Sequence, residues 1–434
     1  MQGRPTRINH HTAGITPAGS FLFLVFSSCL FCLVNPVAAA IVATGDVDPA
    51  DPATWTSSTY SSVGKTGSGT MNVTGGGSVS SRYPYIGFAG GSNGEVTVDG
   101  PGSTWTVSIS EDDQKGLVVG NGGSGTLNIT GGGEVSVQAN TKVAYNSGSS
   151  GTINFDSGTL STGGLLCNFE DLTGTGTINT NGLVSDFNLV FDATNGLTQT
   201  INLNGNPGQN VTLNLDVDGS GSMGAGYGSV GTTSISGGRT VESTYGYIGF
   251  KTGSTGQVTV DGVGSKWANG YDLRIGQKGN GTLSITNGGE VSCNGSIIGA
   301  YSSGTGEMTV DGTGSKWTNS SVLYVGQDGS GKLDITGGGV VSCETGYVGI
   351  CQVYNPASLG QVTVSGAGST WTTGGRLYVG HGGSGTLNIL DRGFIIADIL
   401  NIGYYPDHHD NDFVNLTSGG MLALLGIRQT IHWP

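Results

Sequence analysis

The sequence predicts an all-β fold, a right-handed parallel β-helix (β-solenoid) of about 23–27-residue coils, interrupted once by a non-repeating β segment. Three observations predict it. A long motif returns at fixed spacing. Apolar residues inside the motif alternate with a period of two. Glycine, far above its ordinary share, stands where the motif must turn.

The repeat consists of two alternating units. One reads "GEVTVDGPGSTWT" (94–106), "GQVTVDGVGSKWA" (256–268), "GEMTVDGTGSKWT" (306–318) and "GQVTVSGAGSTWT" (360–372). The other reads "LVVGNGGSGTLNITGGGEVS" (117–136), "LRIGQKGNGTLSITNGGEVS" (273–292) and "LYVGQDGSGKLDITGGGVVS" (323–342), with a decayed copy, "LYVGHGGSGTLNILDRGFII", at 377–396. The glycine closing each "IG" or "VG" marks the beat: Gly249, Gly276, Gly299, Gly326, Gly349, Gly380 and Gly403, in steps of 27, 23, 27, 23, 31 and 23. Two ordinary steps make a double coil of 50 residues, also the distance from Trp55 to Trp105 and from Trp267 to Trp317. The step of 31 holds an insertion around "CQVYNPAS".

Within a coil, Leu127 and Ile129 point one way and Asn128 the other; Val96 and Val98 alternate with Thr97. Period two with β-branched residues and glycine-rich breaks predicts short strands, about three per coil: "LYVG", "GTLNIT" and "GEVS". Runs such as "GGG" at 131–133 permit positive φ at corners. One coil cannot bury its apolar face alone, whereas stacked coils can. Roughly a dozen coils at a strand spacing of about 4.8 Å would form a rod on the order of 60 Å long.

In chain order, residues 1–40 read as a secretory signal. Arg4 and Arg7 form a basic leader, Phe21 to Val34 a 14-residue apolar core, and Ala38 and Ala40 a small-x-small cleavage site, with cleavage expected after Ala40. Cys29 and Cys32 lie inside that core, without a lipoprotein context. Residues 41–162 form a first repeat array and 227–420 a second. Residues 163–226 keep strand alternation but lose the unit, and read as an irregular β segment. Residues 421–434 continue no pattern and read as an aberrant or truncated tail. No segment after the signal is apolar and long enough to predict a membrane-spanning helix.

Composition narrows the function. Glycine supplies 83 of 434 residues and charged residues only 11%, against a typical share of about 25%. The net charge of −14 argues against nucleic acid and anionic membrane surfaces as partners. Beyond the signal, Cys167, Cys293, Cys343 and Cys351 are too sparse for a disulfide scaffold and form no C-x-x-C pair, so zinc is not expected.

The motifs "VTVDGxGSxW", "LYVGxxGSGTLxITGGGxVS" and "YGYIGFKTGSTG" (245–256) resemble the repeats of PEP-CTERM/autotransporter-associated repeat proteins over most of residues 54–420. The resemblance implies an exported or surface-attached bacterial β-solenoid, and no particular activity. Such proteins often end in a Pro-Glu-Pro sorting tail or an outer-membrane barrel; "GGMLALLGIRQTIHWP" matches neither.

Candidate chemistry is thin. "GQDGSGK" (326–332) fits the first seven places of a phosphate-binding loop, but Leu333 follows where Ser or Thr should hold magnesium, and a strand follows where a helix should start. Sister coils carry Thr126, Thr282 and Thr386 in place of Lys332. Asp99, Asp261 and Asp311, with Ser365 in the fourth copy, read as a calcium row or as Asx-type turns bonding nearby backbone, and the turn is preferred. "DVDGSGSMGAGY" (216–227) opens like a calcium loop at Asp216, Asp218, Ser220 and Gly221 but ends in Tyr227 rather than a bidentate Glu. "DHHDND" (407–412), with His408 and His409, reads as a polar loop or a metal site. Trp55, Trp105, Trp267, Trp317 and Trp371 read as core or corner packing, or else as a stacking platform for sugar rings. Cys293 and Cys343 share a repeat position two coils apart, too far for a disulfide; Cys343 with Cys351, or free thiols, are the alternatives. His381 stands where other coils have Asn121, Gln277 and Gln327, and reads as part of a variable loop.

No catalytic, cofactor-binding or metal-binding residue is assigned, and no cofactor is expected beyond a weak suggestion of calcium. The expected function is that of an exported or cell-surface structural or adhesive, non-catalytic rod acting by multivalent display. The alternative is a carbohydrate-binding or polysaccharide-cleaving β-helix, with any enzyme chemistry in the non-repeating centre. Expected partners are extracellular polysaccharide or cell-surface components.

Overall fold

The computed structural model describes residues 38–109, 116–203, 209–351, 358–403 and 412–426. Residues 1–37 of the expected signal, most of the insertion, His408, His409 and the end of the tail lie outside the described residues.

The chain is 62% strand and 2% helix, wound into parallel stacked coils that make a β-solenoid of about 14 turns. The solenoid lies in the unit Val37–Pro434. In the second half each coil contributes one strand to each of three faces. Leu273–Ile275 belongs to the first face, Asn280–Thr286 to the second and Glu290–Cys293 to the third. Apolar residues at alternate positions point inward and are fully buried: Leu283 and Ile285 on the second face and Val291 on the third.

The strand register reproduces the glycine beat. Ile248 pairs with Ile275, then Ile298, Val325, Val348, Val379 and Ile402 in successive coils. The glycine after each marks a corner that only glycine can take. Gly276 has φ +70°, and a Cβ there would lie 2.2 Å from the Thr305 carbonyl oxygen of the next coil.

The third face explains why the repeat is a double coil. Its inward row runs Val241, Trp267, Val291, Trp317, Val341, Trp371 and Ile395, alternating small and large. Each indole spreads toward smaller neighbours on both sides, so the interior fills without two indoles at one strand spacing.

Stacking continues through the residues where the motif lapses. Leu172–Thr180 pairs in parallel with Ser150–Cys167 on one side and Gln209–Leu215 on the other. The inward row becomes Val135, Leu160, Ile178 and Leu213. A short strand, Gln199–Asn202, folds back antiparallel on Gln209–Leu215. At the N-terminal edge Ala40–Gly45 lies antiparallel along Ser68–Thr74, covering a row of backbone groups that a parallel stack would leave open.

Candidate functional site

The sequence candidates fall mostly into structural places. Gly326–Lys332 is a corner between Val322–Gln327 and Ser330–Thr336, with Asp328 at φ +60°. Lys332 lies on the second face between Glu307 and Gln361 and pairs with Asp334 at 2.7 Å.

The aspartate row corrects the expected Asx turn. Asp99, Asp261 and Asp311 each accept a hydrogen bond at 2.6 Å from the hydroxyl of Thr130, Thr286 or Thr336 in the next coil. Strand register places each threonine directly beside its aspartate, so the inter-coil bond outcompetes local backbone. In the fourth copy Ser365 donates to Asp391 at 3.2 Å. The corner's backbone is served instead by the serine of "GxGS". Ser315, fully buried, donates to the Asp311 carbonyl at 2.6 Å and accepts from the Gly288 N–H of the preceding coil at 3.0 Å. Ser103 does the same with Asp99 and Gly76.

In the calcium-like loop, Asp218 accepts from the Ser220 N–H and hydroxyl and from Asn181, while Asp216 accepts from Thr198. Tyr227 leaves the loop entirely and is buried elsewhere. Among the described residues no three His, Cys, Asp or Glu side chains converge as metal ligands. Asp412, the described end of "DHHDND", accepts from the Gly385 N–H.

Trp55, Trp105, Trp267, Trp317 and Trp371 are all buried, which decides for packing over an exposed platform. Trp105 and Trp267 donate through Nε1 to Ser81 and Ser243 of the preceding coil at 2.9 and 3.0 Å. Cys293 and Cys343 occupy the same place under Trp317 and Trp371, whose N–H groups reach no oxygen. Cys167, Cys293 and Cys343 are free thiols, which decides against a Cys343–Cys351 bridge. Burial pushes the Cys293 and Cys343 thiols up to about 12, with the indole contact a smaller opposing influence.

The outer surface carries what the sequence reading missed. On the first face, Tyr324, Tyr347 and Tyr378 stand in register, with ring centroids 5.2 and 4.7 Å apart and planes within 24° and 5°. His381, expected in a variable loop, ends the strand Arg376–His381 and packs edge-on against Tyr347 and Tyr378. The outward residue of "LYVG" produces this stack, and its repetition was the available signal.

A second feature arises where the repeat lapses. In regular coils a loop follows the first-face strand, as at 144–149 and 249–254. Between these two, three successive first-face strands end in shorter corners, after Cys167, Ser185 and Ala225. The result is a cleft of about 320 Å³, lined in part by the loop 144–149, Asn168, Gly228 and Lys251. Beneath it Tyr227 is buried, donates its hydroxyl proton to the Val143 carbonyl and stacks on Phe250 at 5.2 Å. The Lys251 ammonium sits 4.1 Å from the Tyr227 ring centre. Burial holds that ammonium below its ordinary pKa, against the pull of Asp171 and Asp186. Burial likewise raises the Asp171 carboxyl, while the Asp186 carboxylate is fixed by the Gly228 N–H at 3.0 Å. Asn168 Oδ1 and Gln277 Oε1 are buried without a hydrogen-bond partner. The residues lining the cleft converge from five separate turns of chain. Neither a family model, nor a curated protein, nor a solved structure matches this chain.

Proposed function

We propose that the protein is an exported or cell-surface structural or adhesive β-solenoid, without catalytic activity, that acts by multivalent display. One observation carries the reading. The outward row of the second face presents Thr259, Ser284, Thr309, Asp334, Thr363, Asn388 and Asn415 in unbroken register. Small polar groups at one strand spacing offer many weak, equivalent contacts to an extended partner, whose sum depends on how many coils are engaged. The resemblance of the repeats to those of exported proteins supports the location, and extracellular polysaccharide or a cell-surface component is the fitting partner.

The test compares the full chain with variants lengthened or shortened by one double coil, on immobilised extracellular polysaccharides and on cell surfaces. Apparent affinity should follow coil number. Affinity independent of coil number, or sustained polysaccharide turnover by the full chain, removes this reading. The second reading, a carbohydrate-binding or carbohydrate-cleaving solenoid, is favoured by the cleft at Lys251 and by the tyrosine stack.

A further inference from the structure

We propose that the cleft beside Lys251 is a discrete binding site for one acidic sugar unit, a hexose ring carrying a carboxylate. The site goes beyond the display surface, because it occurs where the repeat fails rather than where it recurs.

Size is the first argument. A cavity of about 320 Å³ lies at the low end of small-ligand sites, which run from about 300 to 1,000 Å³. It suits one or two sugar rings. Charge is the second. The chain holds 16 Lys and Arg against 30 Asp and Glu, yet the ionisable residues lining this cleft include two lysines, Lys251 and Lys278, and no carboxylate. Asp171 and Asp186 act on Lys251 without lining the cleft. The lining therefore offers lysine without carboxylate, Asp171 and Asp186 lying behind Lys251, and a partly desolvated ammonium attracts an anion more strongly than one in water.

Hydrogen-bonding capacity is the third argument, and it selects among anions. Gln277, only 6% exposed, and Asn168 both line the cleft, and each has a buried amide oxygen with no donor. A buried acceptor without a donor is left unsatisfied at a cost in free energy. Phosphate and sulfate bring acceptors almost exclusively and cannot satisfy it. A sugar hydroxyl both donates and accepts, so it serves either orientation of the amide. The fourth argument is apolar lining: Tyr145 and the largely buried Phe250, ring centres 5.9 Å apart, border the cleft, and C–H groups of a sugar ring can pack against what they leave exposed. Carboxylate, hydroxyls and an apolar ring face together describe a uronic acid.

The experiment is saturation-transfer NMR and calorimetry on the full chain with galacturonate, glucuronate, their neutral parents galactose and glucose, and inorganic phosphate as probes. Uronates should bind with one site per chain, at least tenfold more tightly than the neutral sugars or phosphate. Lys251→Met and Gln277→Leu should each weaken uronate binding at least tenfold. Lys278→Met, at a half-buried position, gives the same test should the Lys251 variant fail to fold. Gln327→Leu, at the matching repeat position outside the cleft, should leave binding unchanged. Equal binding of neutral sugar and uronate, equal binding of phosphate, or indifference to the Lys278 and Gln277 variants would overturn the assignment. So would a many-site isotherm, which belongs to the display surface; conversely, single-site uronate binding survives even if affinity for polymers proves independent of coil number.

Discussion

A buried indole needs an acceptor, and the protein contains both solutions to that need. Ser243 accepts from Trp267 at 3.0 Å and donates to Asn269 at 2.7 Å. Cys293 stands in the same place under Trp317 and donates to Asn319 at 3.0 Å, but offers the indole only sulfur. Cys293→Ser should therefore rebuild the Ser243 arrangement with little change in stability at neutral pH. The thiols have a further consequence at high pH. Burial raises them to about 12, above the ordinary thiol value of 9.0, so the unfolded chain releases these protons first. Stability is then fully present below pH 9 and is lost as pH rises toward 12, by on the order of 1 kcal/mol per pH unit per thiol. Urea midpoints at pH 7 and pH 11 should fall further apart for the parent than for a Cys293→Ser, Cys343→Ser double variant. An equal alkaline loss in both proteins would mean the thiols do not carry it.

At the scale of the corner, the serine of "VDGxGSxW" matters more than the aspartate beside it. Ser315 ties its own turn to the Gly288 N–H, 27 residues earlier in sequence and one coil away in space. Ser315→Ala leaves that N–H without its acceptor in a buried corner and should cost about 1–3 kcal/mol. Ser320, whose hydroxyl donates to Asn294 at an exposed position, should tolerate alanine within about 0.5 kcal/mol. Denaturation midpoints of the two variants decide this, and equal effects would contradict the corner's role. The motif displayed this serine in four copies, but its partner could not be read there. A hydrogen bond to the preceding coil depends on stacking register, which emerges only when the turns are laid one on another. The same limit applied to Asp311: its local sequence suggests an Asx turn, while its true neighbour, Thr336, is 25 residues away.

At the scale of the whole solenoid, what the sequence made legible was periodic. The steps between Gly249 and Gly403 equal the register steps between Ile248 and Ile402, because every coil must return one residue type to the same corner. The cleft was illegible for the converse reason. It is made by corners that are missing, and Lys251, Gln277 and Asn168 share no motif. Periodicity also sets what the chain can lose. Excising Ala300–Gly349 removes one double coil of 50 residues, joins two matching corners and preserves the Val–Trp alternation of the third face. That variant should keep its β-sheet circular dichroism per residue and unfold cooperatively, since each coil contacts only its neighbours. Excising Ala300–Gly326, a single coil of 27 residues, keeps the winding but sets Val291 against Val341 with no indole between them. It should fold with a cavity and lose several kcal/mol, about 3–5 by comparison with other deletions of a buried tryptophan. Excising Ala300–Thr336, 37 residues, removes one whole coil and also the second-face strand of the next, and should abolish folding. The ranking separates two requirements, since winding alone predicts that the 27-residue and 50-residue variants are equally stable. Equal thermal midpoints for those two would show that the alternation of tryptophan and valine is decoration rather than the reason the repeat is doubled.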